Sequence, residues 1–298
     1  DISFATIITA MKNLIRNGVD GIDLTDPIHF IIFEVRLPRI ILAVLTGGLL
    51  SMAGASYQAI FQNPMADPFV MGVSSGAAFG ATMAIVFLPA TSFLGHTLVS
   101  LSAFICAILI SLIVYTVSRT KRGVDNYSVL LTGIVISAIL SSAISLIMMV
   151  HRDEAMAIIT WTMGSFNAKS WIHVGTIFIP TLIAFIVTIY HGKDLNLLVM
   201  GEEEAISMGL DVKKLKRNLL LLSALLTSLA VSVSGIIGFV GLIVPHFIRL
   251  IFGGDHKFLM PASMIVGGIF MLLADTLARS LISGCLLYTS PSPRDATL

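Results

Sequence analysis

The sequence predicts an all-α fold, a polytopic bundle of transmembrane helices containing inverted repeats. Three observations carry this. Hydrophobic residues make up 56% of the 298 and charged residues only 12%, too little charge to cover a soluble domain of this size. Roughly eight apolar segments are each long enough, or nearly so, to cross a bilayer. A Gly/Pro-interrupted pattern also occurs twice, at the ends of spans that run in opposite directions.

Taken in order, residues 1–20 are weakly amphipathic, with Ile and Leu among Lys12, Arg16 and Asp20, and read as a surface helix. The candidate spans are 38–60, 69–88, 94–117, 127–150, 172–190, 217–234, 236–252 and 259–283. The seventh is short and is interrupted by Gly238, Gly241 and Pro245, which at membrane depth requires burial in protein or a cavity lining. Residues 1–283 therefore form one transmembrane domain. The Ser/Pro-rich polar stretch 284–298 reads as a tail foreign to the fold.

Lys and Arg set the orientation. One basic loop holds Arg119, Lys121 and Arg122; another holds Lys193, Lys213, Lys214, Lys216 and Arg217. An even number of spans separates them, so both lie on the cytoplasmic side together with Lys257. Arg36, Arg39, Arg152, Lys169 and Arg279 then fall outside. The repeat is Ser51, Gly54 and Pro64, echoed by Ser232, Gly235 and Pro245 at one constant offset.

Several local motifs admit a structural and a functional reading. Gly72, Gly76 and Gly80 make a doubled G-x-x-x-G, a device for close helix packing. Asn63-Pro64-Met65-Ala66-Asp67-Pro68 breaks the chain at the inner end of the first span, as a tight turn or as a constriction at the cytoplasmic mouth. Arg36 and Arg39 are snorkelling anchors or contacts for an external acidic partner. Residues Gly201 to Gly209 (GEEEAISMG) read as a short cytoplasmic helix, with acidic residues favoured at its start, Gly209 suited to its end and Asp211 capping the next helix. That helix is a connection or a docking knob. Asp275 and Arg279 are one turn apart, which lowers the cost of charge inside the membrane.

Other chemistries find little support. The net charge of +1 gives no case for nucleic-acid binding. The seven histidines show no metal-ligand spacing, and no phosphate-cradling G-x-x-x-x-G-K-[ST] occurs. No catalytic grouping of Ser, His, Asp or Cys assembles. An ion-coupled secondary transporter needs buried carboxylates at the midplane, and only Asp275 is a candidate.

Together, R-L-P-R at 36–39, Q-N-P-M-A-D-P at 62–68, G-V-S-S-G-A at 72–77, G-F-V-G-L-I-V-P-H-F-I-R at 238–249 and L-A-D-T-L-A-R at 273–279 resemble the FecCD-type permease subunits of ABC importers for iron–siderophores, haem and vitamin B12. W-x-M-G-S at 161–165 and G-E-E-E-A-x-x-M-G at 201–209 agree. The resemblance runs from about residue 1 to 283. It implies ten helices per subunit, of which the first and last are not found here, and a bacterial or archaeal cytoplasmic (inner) membrane location. It implies a second permease subunit, commonly a homodimer, two ATP-binding subunits and an extracytoplasmic substrate-binding protein. Catalytic residues, metal and cofactors are expected to be absent from this chain, with ATP on the partner. Arg36, Arg39 and Arg279 match arginines that dock the binding protein. Glu202, Glu203, Glu204, Ala205, Met208 and Gly209 match the helix coupled to the ATPase. Asn63, Met65, Asn126 and Tyr127 match two cytoplasmic gate segments. The implied function is ATP-driven import of an iron–siderophore or similar metal chelate by alternating access, with haem or cobalamin as the alternative cargo.

Overall fold

The computed structural model describes residues 25–88, 93–120 and 123–286, together with Thr6, Ile8, Thr9, Ala10, Lys12 and Arg16. Most of the amphipathic segment 1–20 and all of 287–298 lie outside the described residues.

The first span is entered through a short helix α1 (Pro27–Phe30), capped by the Asp26 carboxylate, which accepts from the Ile28 N–H at 3.0 Å. A π-helical turn, Ile31–Arg36, follows, and then α2 (Leu37–Ile60). The π turn has a local cause. Pro38 has no N–H and its ring crowds the preceding turn, and the wider turn relieves both by pairing the Leu37 N–H with the Ile32 carbonyl. Arg36 sits in this turn and is exposed.

After α2 the chain turns through 61–67 into a 3₁₀ turn, Pro68–Met71, started by the Asp67 carboxylate on the Phe69 N–H at 2.8 Å. Next come α3 (Val73–Phe87), α4 (Phe93–Val117), a two-residue ladder of β1 (Arg119–Thr120) with β2 (Gly123–Val124), and α5 (Asn126–Val150). Then follow α6 (Ala155–Thr162), α7 (Trp171–Tyr190), α8 (Gly192–Met200), α9 (Glu202–Ser207), α10 (Val212–Ser234), α11 (Val240–Phe252) and α12 (His256–Leu286).

Among the described residues, five helices, in α4, α5, α7, α10 and α12, are long and apolar enough to cross a membrane, and the apolar α3 and α11 are shorter. At 24 residues α2 is about 36 Å long, and nearly all of it is buried. The predicted spans correspond to α2, α3, α4, α5, α7, α10, α11 and α12. α6 and α8 were not anticipated. α12 continues to Leu286, past the Ser283 boundary read from the sequence.

The core lies around α2 and α10, and small residues make it. Lipid is as apolar as leucine, so close van der Waals approach has to hold these helices together. A Cβ added at Gly47 would collide with the Gly267 carbonyl and Met271 of α12, and one at Gly54 with the Gly241 carbonyl of α11. Several buried hydroxyls are satisfied within their own helices: Ser56 donates to the Met52 carbonyl at 3.0 Å, Thr227 to that of Ser223 at 2.8 Å and Ser228 to that of Ala224 at 2.7 Å. By contrast, only Val129 and Gly133 of α5 are buried, and Leu131, Ile134, Ile139, Leu146 and Met149 form an apolar surface.

The seventh span differs from expectation in where it is irregular. The chain is non-helical at 235–239, but Gly241 and Pro245 lie inside the continuous α11. Pro245 lacks an N–H, so the Gly241 carbonyl loses its helical partner. Gln58 of α2 supplies a donor there: its Nε2 is 3.5 Å from that carbonyl and 3.1 Å from the carbonyl of Leu242. The repeated triplets also differ locally. Gly54 is mid-helix while Gly235 ends α10 at φ +72°, and Pro64 is in a turn while Pro245 is helical.

Candidate functional site

Among the described residues, the ion pairs gather at two ends of the bundle. At one, Arg39 of α2 makes a two-pronged bond to Asp275 of α12, Nε to Oδ2 at 2.9 Å and Nη2 to Oδ1 at 2.6 Å. Asp275 Oδ2 also lies 3.4 Å from Arg279 Nε, and Arg39 Nη1 donates to Asn167 Oδ1. Nearby, Trp171 Nε1 donates to the Phe33 carbonyl at 3.0 Å. This is the end that the Lys/Arg pattern places outside. The three arginines are not equivalent. Arg36 is exposed and Arg279 is 44% exposed, but Arg39 is 14% exposed with its fork occupied internally. Arg39 therefore pins α2 to α12, and Asp275 pairs with two arginines where the sequence suggested one.

The outer end also holds a cavity of about 490 Å³ beside α3, α4 and α6, with Trp161, Ser165, Asn167 and Lys169 in its wall. Burial of Lys169 pushes its pKa below the ordinary lysine value, because the charged form is poorly solvated there.

At the opposite end, Gln62 Nε2 donates to the Leu198 carbonyl at 2.7 Å, and Asn196 Oδ1 accepts from the His256 N–H at 2.8 Å. These bonds bring 58–66, α8 and the start of α12 together. Asn63 is exposed, and its Oδ1 accepts from the Met65 N–H at 2.9 Å, closing a tight turn that presents Met65 to solvent. Asn126 and Tyr127 are the first two residues of α5. Asp125 caps that helix by accepting from the Ser128 N–H at 2.8 Å and its hydroxyl at 2.7 Å. These bonds hold the Asp125 carboxyl below its usual pKa. Tyr127 is exposed.

Helix α9 projects at this same end. Glu202, Glu203 and Glu204 occupy its first turn, and Gly209 follows at φ +86°, a conformation that glycine adopts without strain. Asp211 caps α10 by accepting from the Lys214 N–H at 3.1 Å. Within α9, Ala205 is buried, whereas Ile206 and Met208 are exposed. Ala205 therefore faces the permease interior, and Ile206, which the motif reading passed over, is the exposed residue beside it. Alternation along a single helical turn could have revealed it. Lys216, read from the sequence only as one of the basic loop residues, lies in α10 and is buried, with its Nζ 2.8 Å from Asn126 Oδ1 and 2.6 Å from Glu202 Oε1.

The glycine motif divides. Gly76 and Gly80 are helical and press on α4, where a Cβ would crowd Cys106, Ile110 and the Ser102 carbonyl; Ser102 Oγ donates to the Gly80 carbonyl at 2.8 Å. Gly72 instead caps α3 at φ +69°, because a left-handed residue is needed between the 3₁₀ turn and α3.

Among the described residues, no three or more His, Cys, Asp or Glu side chains gather as a metal site. Apolar spans and small-residue crossings define a polytopic membrane protein. The model of the FecCD transport family matches residues 1–289. The hemin transport system permease protein HmuU of Yersinia pestis is 39% identical over 265 residues, 87% of this chain and 78% of that protein. The cobalamin import system permease protein BtuC of Halobacterium salinarum is 38% identical over 250 residues, 84% and 67% of the two chains. A solved metal-chelate type ABC transporter, in an inward-facing conformation, superposes with a TM-score of 0.78 at 31% identity, covering 93% of this chain and 91% of that one. The chain belongs to the FecCD transport family and is a transport permease subunit of the ABC type.

Proposed function

We propose that this permease imports a ferric–siderophore or a similar metal chelate across the cytoplasmic membrane. It would act with a second permease copy, two ATP-binding subunits and an external binding protein. The observation that carries the reading is α9, a six-residue helix that, with Met208 at its C-cap, presents Ile206 and Met208 beside three glutamates at the end the charge pattern places inside. Such a knob suits a groove on a moving partner. Arg36 and Arg279 at the other end suit acidic groups on a binding protein. Asn63, Met65, Asn126 and Tyr127 would form the cytoplasmic gate. ATP would act on the partner subunits, and this chain would change conformation without covalent chemistry. Haem and cobalamin are the competing cargoes, favoured by the hemin and cobalamin relatives.

The test is uptake into proteoliposomes holding the full-length permease with its cognate ATP-binding subunits and binding protein. ATP-dependent accumulation of a ⁵⁵Fe-labelled ferric hydroxamate, above that of hemin and cyanocobalamin, is the expected result. Accumulation of hemin or cobalamin alone would replace the cargo, and ATP-independent uptake of all three would overturn the importer reading.

A further inference from the structure

Lys216 stands at the junction of three elements at the inner end. It belongs to the first turns of α10, and its side chain is only 6% exposed. Its ammonium reaches Glu202 Oε1, on the first residue of α9, at 2.6 Å, and Asn126 Oδ1, on the first residue of α5, at 2.8 Å. Helix starts repel cations, because their free N–H groups carry partial positive charge. A buried lysine between two helix starts is thus badly placed on dipole grounds alone. It is tolerated because the Glu202 carboxylate and the Asn126 carbonyl oxygen satisfy it, with Asp125 adding attraction from the α5 cap.

Among the described residues, Glu202 and Asn126 make no bond to each other; the lysine joins them. On one side is the helix that carries Ile206 and Met208, on the other the helix start that carries Tyr127. We propose that Lys216 is a positioning residue that ties α9 to the start of α5, so that displacement of α9 by the ATP-binding subunits moves the segment bearing Asn126 and Tyr127. This rests on the permease reading above.

The tie has mechanical sense. α5 is the least anchored of the long helices, with only Val129 and Gly133 buried, so a pull at its start meets little resistance from packing. A charge-assisted bond from a buried ammonium is short, and breaking one partner away leaves that buried charge uncompensated. The ammonium should therefore follow Glu202 and bring Asn126 with it.

The experiment uses the full-length permease assembled with its cognate ATP-binding subunits, with Tyr127→Cys as a reporter in a background free of other cysteines. The readout is the change in maleimide labelling rate at position 127 on adding ATP, beside the rate of ATP hydrolysis and the recovery of ATP-binding subunits. Lys216→Met keeps the apolar stem and removes the tie. Asn126→Ala removes only the α5 arm and leaves the Lys216–Glu202 pair. Both are expected to shrink the ATP-induced labelling change by about tenfold, while the ATP-binding subunits remain bound and hydrolysing. Lys216→Arg should keep most of the response. Labelling changes like the parent's in either Lys216→Met or Asn126→Ala would overturn the proposal. Should Lys216→Met fail to assemble, Asn126→Ala decides alone. The parent assembly serves as a separate check: if it binds no ATP-binding subunits and shows no response, the permease reading fails, whatever the variants do.

Discussion

At the residue scale, burial separates groups that look alike in sequence. Arg36, Arg39 and Arg279 share a residue type and one end of the bundle. Two are available at the surface, and Arg39 is held by Asp275 and Asn167. Arg36→Glu should therefore weaken binding-protein association, by about tenfold or more in Kd at moderate salt, without lowering the thermal midpoint. Arg39→Met should do the opposite. It leaves Asp275 with only the longer contact to Arg279, and loss of one partner of a buried pair costs about 3–5 kcal/mol. Thermal unfolding in detergent, beside a pull-down, checks both. Lys169 gives a pH prediction. Its folded pKa is depressed by burial, so the charged form is penalised in the folded state at neutral pH. The penalty fades as pH rises from that lowered value towards 10.5, the ordinary value. Lys169→Met should raise the thermal midpoint at pH 7, and the gain should shrink as the pH approaches 10.5.

At the scale of elements, glycine crossings and one glutamine hold α2 in place. Gly54→Leu would drive a side chain into the α11 backbone at Gly241, which cannot yield as a flexible side chain could. Assembly or folding should fail, read as loss of a monodisperse peak in size-exclusion chromatography. Gly209→Ala, with open space around the glycine, should cost only about 1 kcal/mol through its positive φ. Gln58→Leu should cost about 1–3 kcal/mol, because it strips the carbonyl partner that Pro245 makes necessary. Pro245→Ala should soften that loss by restoring an N–H to α11, and a double-mutant cycle on thermal stability measures the coupling. Element boundaries were largely legible: eight apolar stretches became eight helices, and Asp211 and Gly209 sit where the capping pattern put them. α6 and α8 were not legible, since eight- and nine-residue helices lack the length that makes a span stand out.

At the scale of the whole molecule, the bundle separates a packed centre from two working ends. Ile206→Glu and Met208→Glu, which change the outward face of α9 and leave Ala205 seated, should abolish recovery of ATP-binding subunits in a co-purification while the permease itself stays folded. Ala205→Leu should instead destabilise the permease, because a buried residue has no room for added methylenes. What the sequence by itself determined was the membrane class, the place of the apolar helices and the family. Each follows from composition or short-range pattern, and none depends on which helix lies beside which. The tertiary structure alone decided that Arg39 is spent on Asp275, that Gln58 answers Pro245, that Ala205 faces inward, and that Lys216 joins Asn126 to Glu202. The partners in these bonds lie 236, 184 and 90 residues apart for Arg39–Asp275, Gln58–Leu242 and Lys216–Asn126. Such pairs arise only when packing brings distant helices together, and charge or polarity along the chain does not say which partner packing will select.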